Sequence, residues 1–167
     1  MSPLIGYIMN YTLKKYNELS TDELYQILQL RAEVFIVEQQ CVYQDLDSKD
    51  QDAFHLMLHN QDNLLLAYTR LLPPDISYKN YSSIGRVVSH PDFRSKGLGK
   101  SIMQKSILYI ENLFPQNHIK ISAQSYLIKF YESFSFQTIG DEYLEDNIPH
   151  TAMIKYLIPS EQQLKSL

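Results

Sequence analysis

From Val87 to Lys100 the chain reads Val-Val-Ser-His-Pro-Asp-Phe-Arg-Ser-Lys-Gly-Leu-Gly-Lys. An apolar run passes into a loop with two glycines, and a helix-forming sequence follows at once. The first turn of a helix has unpaired N–H groups and the positive end of the helix dipole, which together suit a phosphate. Gly97 and Gly99 bring no Cβ, so a ligand can come close to the main chain there. Arg94, Lys96 and Lys100 add positive charge, and Ser95 and Leu98 complete the loop. The spacing is not that of a Walker A loop, and only G-x-G of the dinucleotide fingerprint is present. Taken alone, the stretch is either a tight turn into a helix or a phosphate cradle.

The elements around this loop follow from periodicity. Ser20 with Glu23 forms a capping box, and Leu24, Ile27, Leu28, Val34 and Phe35 recur behind it at helical spacing. Residues 41–52 are polar and acidic and read as a solvated loop. Apolar runs at 53–59 and 64–72 flank an Asn/Asp turn, which predicts a hairpin. Pro73-Pro74-Asp75 breaks the chain. A strand is expected over 81–90, a helix over 98–113 ending at Pro115, and a strand over 119–123. A short helix at 125–133 and strands at 136–139 and 151–158 complete the order, with a loose tail over 159–167. This is one mixed α/β domain spanning 1–167, with a mixed sheet and helices on both faces. The strand–loop–helix–strand unit at 81–123 should be a right-handed crossover.

Bulk properties narrow the function. A length of 167 residues fits one domain with a real core, and 44% apolar residues is ordinary for a globular chain. The formal charge of −4 gives no electrostatic support for nucleic-acid binding. The lone Cys41 allows no internal disulfide and reads as a small buried side chain. The beginning of the chain lacks the pattern of a secretory signal, and no apolar run is long enough for a membrane helix. A reducing compartment, the cytoplasm, is therefore expected. Asp45, Asp47, Asp50 and Asp52 lack EF-hand spacing, and no metal site is expected.

The run from Val88 or its neighbour through Arg94, Gly97 and Gly99 resembles the acyl-CoA motif V-x-x-x-x-R-x-x-G-x-G of the GNAT superfamily of N-acetyltransferases. Phe130-Tyr131-Glu132-Ser133-Phe134-Ser135-Phe136 resembles that family's F-Y-E-x-x-G-F segment. Leu30–Gln40 with Tyr43–Asp47, Ile84-Gly85-Arg86-Val87, and Ile148-Pro149-His150-x-x-Met153 are similar to the ElaA-type branch. Together these stretches cover most of residues 20–157. Ser135 stands where the family has Gly, Gln124 where Asn is common, and Leu127 where a small residue is frequent.

The resemblance implies a central, mostly antiparallel sheet splayed at an acyl-CoA site. It also implies direct transfer of an acetyl group from acetyl-CoA to an amine, with no acyl-enzyme. The main chain of Arg86-Val87-Val88 would bind pantetheine and thioester, with the Val88 N–H as oxyanion donor. Residues 94–100 would hold the pyrophosphate, and Gln124 would reach the pantetheine arm. Tyr131 would be the general acid, since a phenol of pKa about 10 can protonate a thiolate whose acid is near 8.5. Glu38 and His150 are the two candidates for general base. The acidic loop, with Glu142, Glu145 and Asp146, would draw a small-molecule or peptide amine that carries positive charge. Exposed sheet edges would admit a homodimer. A non-catalytic acyl-CoA-binding module needs the same phosphate loop but neither Tyr131 nor a base, so it is the alternative. A modifier of aminoacyl-tRNA is disfavoured by the negative charge.

Overall fold

The computed structural model describes residues 9–157. The tail after Pro159 and most of the opening stretch lie outside them. The described chain begins with a strand the sequence did not announce, β1 (Asn10–Lys15). Its residues alternate too weakly to mark it. Pairing with β2 makes it a strand, with Asn10 opposite His59 and Lys15 opposite Phe54.

Helix α1 (Thr21–Arg31) starts on the expected capping box. The Glu23 N–H donates to Ser20 Oγ at 3.1 Å, and the Ser20 N–H donates to Glu23 Oε2 at 2.8 Å. Past Arg31 the coil widens. Residues Ala32–Glu38 are π-helical, with the Gln39 N–H bonded to the Val34 carbonyl and the Cys41 N–H to that of Ile36. β2 (Phe54–His59) and β3 (Leu65–Leu72) form the expected hairpin. Asn60 Oδ1 closes its turn by accepting from the Asp62 and Leu64 N–H groups at 3.0 and 2.9 Å.

β4 (Ser83–Ser89) leads through the glycine loop into α2 (Leu98–Leu113) and returns as β5 (Ile119–Gln124). A short 3-10 turn, Ser125–Leu127, precedes α3 (Ile128–Glu132). The last hairpin is longer than the apolar runs suggested. β6 covers Gln137–Glu145 and β7 covers Ile148–Lys155, joined by Asp146 and Asn147 at positive φ. β6 is almost wholly exposed, so it lacks the apolar alternation that marks a strand in sequence. Ser135 takes φ +68°, so the left-handed turn where the family carries Gly is made here with a Cβ in place.

The strands form two antiparallel ladders, β1-β2-β3-β4 and β5-β7-β6. One parallel bridge joins them, at Ser82 and Ile119. There the Ser82 N–H donates to the His118 carbonyl at 3.1 Å and the Lys120 N–H to the Ser82 carbonyl at 2.9 Å. The two helices cover opposite faces of β2 and β3. Ile27, Leu30 and Val34 pack with Met57, Leu65, Tyr68 and Val88 on one side. Leu98 and Ile102 pack with Leu56, Leu58, Leu66 and Ala67 on the other. Strands buried on both faces read as continuous apolar runs, as β3 does.

Candidate active site

Past Ser82 and Ile119, β4 and β5 share no ladder. Their divergence opens a cleft of about 680 Å³. Ile84–Ser89 line one wall and Ile121, Ser122 and Gln124 the other, with Phe35, Glu38 and Gln39 at the π-helical rim. The Gln124 amide nitrogen donates to Gln39 Oε1 at 3.3 Å, tying that rim to β5.

The register decides which β4 amides face the cleft. The His90 N–H donates to the Leu66 carbonyl at 2.8 Å, and Val88 lies opposite Tyr68. Alternation then turns the Val88 N–H toward β3 and leaves those of Val87 and Ser89 on the splayed side. Of the two valine amides, it is that of Val87 which faces the cleft. Between Gly85 and Val88 the strand bulges, with Arg86 at φ +52°.

At the other end of β4, Gly97 is the N-cap of α2 in the left-handed conformation, φ +74°, and its position offers no side-chain cap. A Cβ built on Gly97 or Gly99 would meet nothing within 4 Å, so neither glycine is there to relieve internal crowding. Open space, uncapped N–H groups and the exposed cations Arg94, Lys96 and Lys100 fit a pyrophosphate. Lys96 Nζ rests 4.8 Å from the Phe93 ring centroid. Arg94 is partly committed, since its guanidinium donates to Glu38 Oε1 at 2.8 Å.

The catalytic candidates meet in this one cleft: Tyr131, Glu38 and His150 all line it. Tyr131 is 8% exposed and packs edge-on against Phe130 and Phe136. Burial, helped by Tyr126 nearby, pushes its phenol up to about 12, so it keeps its proton through the neutral range. His150 places Nδ1 2.8 Å from the Ile148 carbonyl, so Nδ1 donates there and Nε2 has no hydrogen-bond partner among the described residues. The Glu38 carboxylate is instead held by Arg94. Arg94 engages one oxygen of Glu38, so the other carboxylate oxygen and His150 Nε2 both remain without a hydrogen-bond partner among the described residues. The buried Cys41 also borders the cleft, with Sγ 3.5 Å from the Asp146 carbonyl.

The expectation of a solvated acidic loop is corrected here. Asp45 and Asp50 are buried, and Asp47 is half-buried. Arg31, fully buried on α1, donates to Asp45 Oδ2 at 2.9 Å and to Asp50 Oδ1 at 2.8 Å. Arg70 of β3 grips Asp47 with two bonds of 2.7 and 2.8 Å and reaches Asp50 Oδ1 at 2.9 Å. Arg86 Nε lies 2.7 Å from Asp45 Oδ1. The Arg31 and Arg70 guanidinium groups hold the Asp50 carboxyl below the usual range, against the opposing effect of burial. Three arginines neutralise three aspartates, so these carboxylates are spent on structure rather than on drawing an amine. Sequence reasoning missed this cluster, and it missed Ser122, whose Oγ lies 2.5 Å from Tyr143 Oη and 2.6 Å from Glu145 Oε2 at the cleft.

Comparison with known proteins gives the family and supports the fold. A family profile described as an acetyltransferase (GNAT) domain matches residues 14–157. The chain is 36% identical over 152 residues to a UPF0039 protein of Synechocystis sp., covering 91% of this chain and 98% of that one. It is 37% identical over 145 residues to protein ElaA of Escherichia coli, covering 86% and 94%. Among solved structures it is similar to an acyl-CoA N-acyltransferase from Pseudomonas aeruginosa, with TM-score 0.83, 41% identity and coverage of 89% and 99%. The crystal structure of E. coli ElaA superposes with TM-score 0.82, 34% identity and coverage of 89% and 100%. The chain belongs to the GNAT acetyltransferase family, in its ElaA-like branch. Among the described residues no helix is long and apolar enough to cross a membrane, and no group of three or more His, Cys, Asp or Glu side chains could hold a metal ion.

Proposed function

We propose that this chain is an N-acyltransferase that moves the acetyl group of acetyl-CoA to a primary amine by direct attack. The observation that carries this reading is the splay of β4 from β5, which opens β4 main chain onto a cleft that reaches Arg94, in the loop leading to the uncapped start of α2. Acetyl-CoA supplies the activated acyl group as a thioester. The first turn of α2 with Arg94, Lys96 and Lys100 holds its pyrophosphate. The Val87 N–H polarises the thioester carbonyl as an oxyanion donor. His150 Nε2 takes the proton from the attacking amine, directly or through water. As the new C–N bond forms and the C–S bond breaks, Tyr131 gives its proton to the departing thiolate. Burial keeps the Tyr131 phenol protonated throughout the physiological range, so its proton is in place when the thiolate leaves.

The acceptor is a small-molecule or peptide amine. Its recognition falls to the wall of Glu145, Asp146 and His150 and the π-helical rim, because the acidic loop is already neutralised. Calorimetric titration with acetyl-CoA and free CoA tests the reading. Saturable micromolar binding is expected, and an absence of binding by both would refute it.

A further inference from the structure

The β4 bulge places a side-chain-bearing residue where glycine is preferred. Gly85 faces Arg70 and Val88 faces Tyr68, so three steps on β4 answer two on β3. The extra residue is Arg86, at φ +52°. A Cβ disfavours that conformation, and it persists only where the surroundings over-determine it.

Those surroundings are the contacts of the Arg86 side chain. Nη2 donates to the Asp45 carbonyl at 3.0 Å, Nε lies 2.7 Å from Asp45 Oδ1, and the guanidinium sits 5.8 Å from the Tyr43 ring centroid. Nη2 is also 3.5 Å from Asp47 Oδ2. Both aspartates are fixed from behind. Arg31 and the Tyr43 hydroxyl hold Asp45, and Arg70 holds Asp47 with a two-pronged grip. Arg70 is also the β3 partner of Gly85, so Asp47 bridges the two strands across the bulge. From the other face Thr69, which the bulge opposes, hydrogen-bonds Ser106 of α2 at 2.6 Å.

We propose that Arg86 is a positioning residue: Asp45 and Asp47 clamp its guanidinium, and through it the bulge that aims the Val87 N–H at the thioester carbonyl. The inference rests on the acyl-CoA reading above. It gives the buried aspartates of the 41–52 loop a role in turnover exerted through Arg86. The clamp consists of one hydrogen bond to the Asp45 main chain and close charge contacts with the Asp45 and Asp47 carboxylates, the second of which Arg70 holds in a forked grip.

The test is the carbonyl stretch of acetyl-CoA carrying carbon-13 at its thioester carbonyl, read by infrared difference spectroscopy on the full chain. Calorimetric binding is measured on the same samples. Wild type should shift the bound carbonyl to lower frequency. Arg86→Ala and Asp45→Asn should lose most of that shift and, since one oxyanion donor is misplaced, about 100-fold in acyl transfer. Their dissociation constants for acetyl-CoA should stay within about threefold, because phosphate binding lies at the other end of β4. Arg86→Gly lacks the clamp but adopts positive φ freely, so it should recover part of the shift. An unchanged carbonyl frequency in Arg86→Ala and Asp45→Asn would overturn the inference. So would a loss of affinity with the bound frequency unmoved, which would make Arg86 a binding residue. Should those two fail to fold, Arg86→Lys and Asp47→Asn carry the same test, and an unmoved band again overturns it. If wild type bound no acetyl-CoA, the functional reading itself would fall, a result distinct from binding with an unmoved band.

Discussion

Replacing Gly99 by Ala separates the folding role of a residue from its binding role. Gly99 is the second residue of α2, and a Cβ there meets nothing within 4 Å. The protein alone therefore gains helix propensity, up to about 1 kcal/mol. For a chain of this size that raises the melting temperature by about 2–4 °C. With acetyl-CoA the sign reverses. The new methyl occupies the space a phosphate oxygen needs, and losing a hydrogen bond to a charged group costs about 1.5–3 kcal/mol, a tenfold to hundredfold weaker complex. At a concentration of about 100 times the wild-type dissociation constant, ligand stabilises wild type by about 2.7 kcal/mol. A variant bound tenfold more weakly gains only about 1.4 kcal/mol under the same conditions. Thermal unfolding with and without acetyl-CoA should then show Gly99→Ala melting above wild type when free and at or below it when saturated. Equal ligand-induced shifts in the two proteins would refute the placement of the phosphates at the start of α2.

Four further outcomes follow from the same structure. Tyr131→Phe should lower turnover at least about 100-fold while leaving acetyl-CoA affinity unchanged by calorimetry, and full turnover would remove Tyr131 as the acid. Arg31→Met leaves Asp45 and Asp50 facing each other without their buried partner, and should cost about 3–5 kcal/mol in urea unfolding. Because the Asp50 carboxyl is held below its unfolded value, its stabilisation is complete above the unfolded pKa and is lost as pH falls through the folded one. The urea midpoint should thus drop on acidification below about pH 4 more steeply in wild type than in Asp50→Asn, and parallel curves would contradict the linkage. Ser135→Gly relieves a left-handed side chain at φ +68° and should stabilise by up to about 1 kcal/mol, read as a raised melting temperature.

The parts of the fold visible in sequence are those where local chemistry and burial agree. The capping box at Ser20, the Asn60 turn and the strongly amphipathic α2 each carry their own signal, and each appears where that signal lies. β1 and the outer half of β6 carry none, since their strand character comes from a neighbour's unpaired backbone; the β1 side chains are mostly half-buried without alternation, and those of outer β6 face solvent. Tyr131, His150, Glu38 and the glycine loop could be singled out because their types and family motif speak for chemistry. The ionic cluster could not be found by asking where the acids are. A signal lay in Arg31 and Arg70, two charges within otherwise apolar stretches, Ile-Leu-Gln-Leu-Arg and Tyr-Thr-Arg-Leu-Leu. A buried guanidinium demands carboxylate partners, and the Asp45–Asp50 segment is the nearby source. Whether Val87 or Val88 turns its amide to the cleft depends on a bulge, and a one-residue shift of register leaves no mark in composition.

The π-helical stretch at Ala32–Glu38 has an evolutionary implication for what the cleft accepts. A coil closed by five-residue steps holds one residue more than an ordinary helix would over the same span. Deleting that residue would let the segment relax to a regular helix and swing everything after it by about 100° around the axis. Ile27 and Leu30 would keep their places in the core, while Glu38 and Gln39 would rotate away from the cleft and other side chains would take their positions. A single codon lost or gained here would change the side chains at the cleft rim and release Arg94 and Gln124 from their present partners, Glu38 and Gln39.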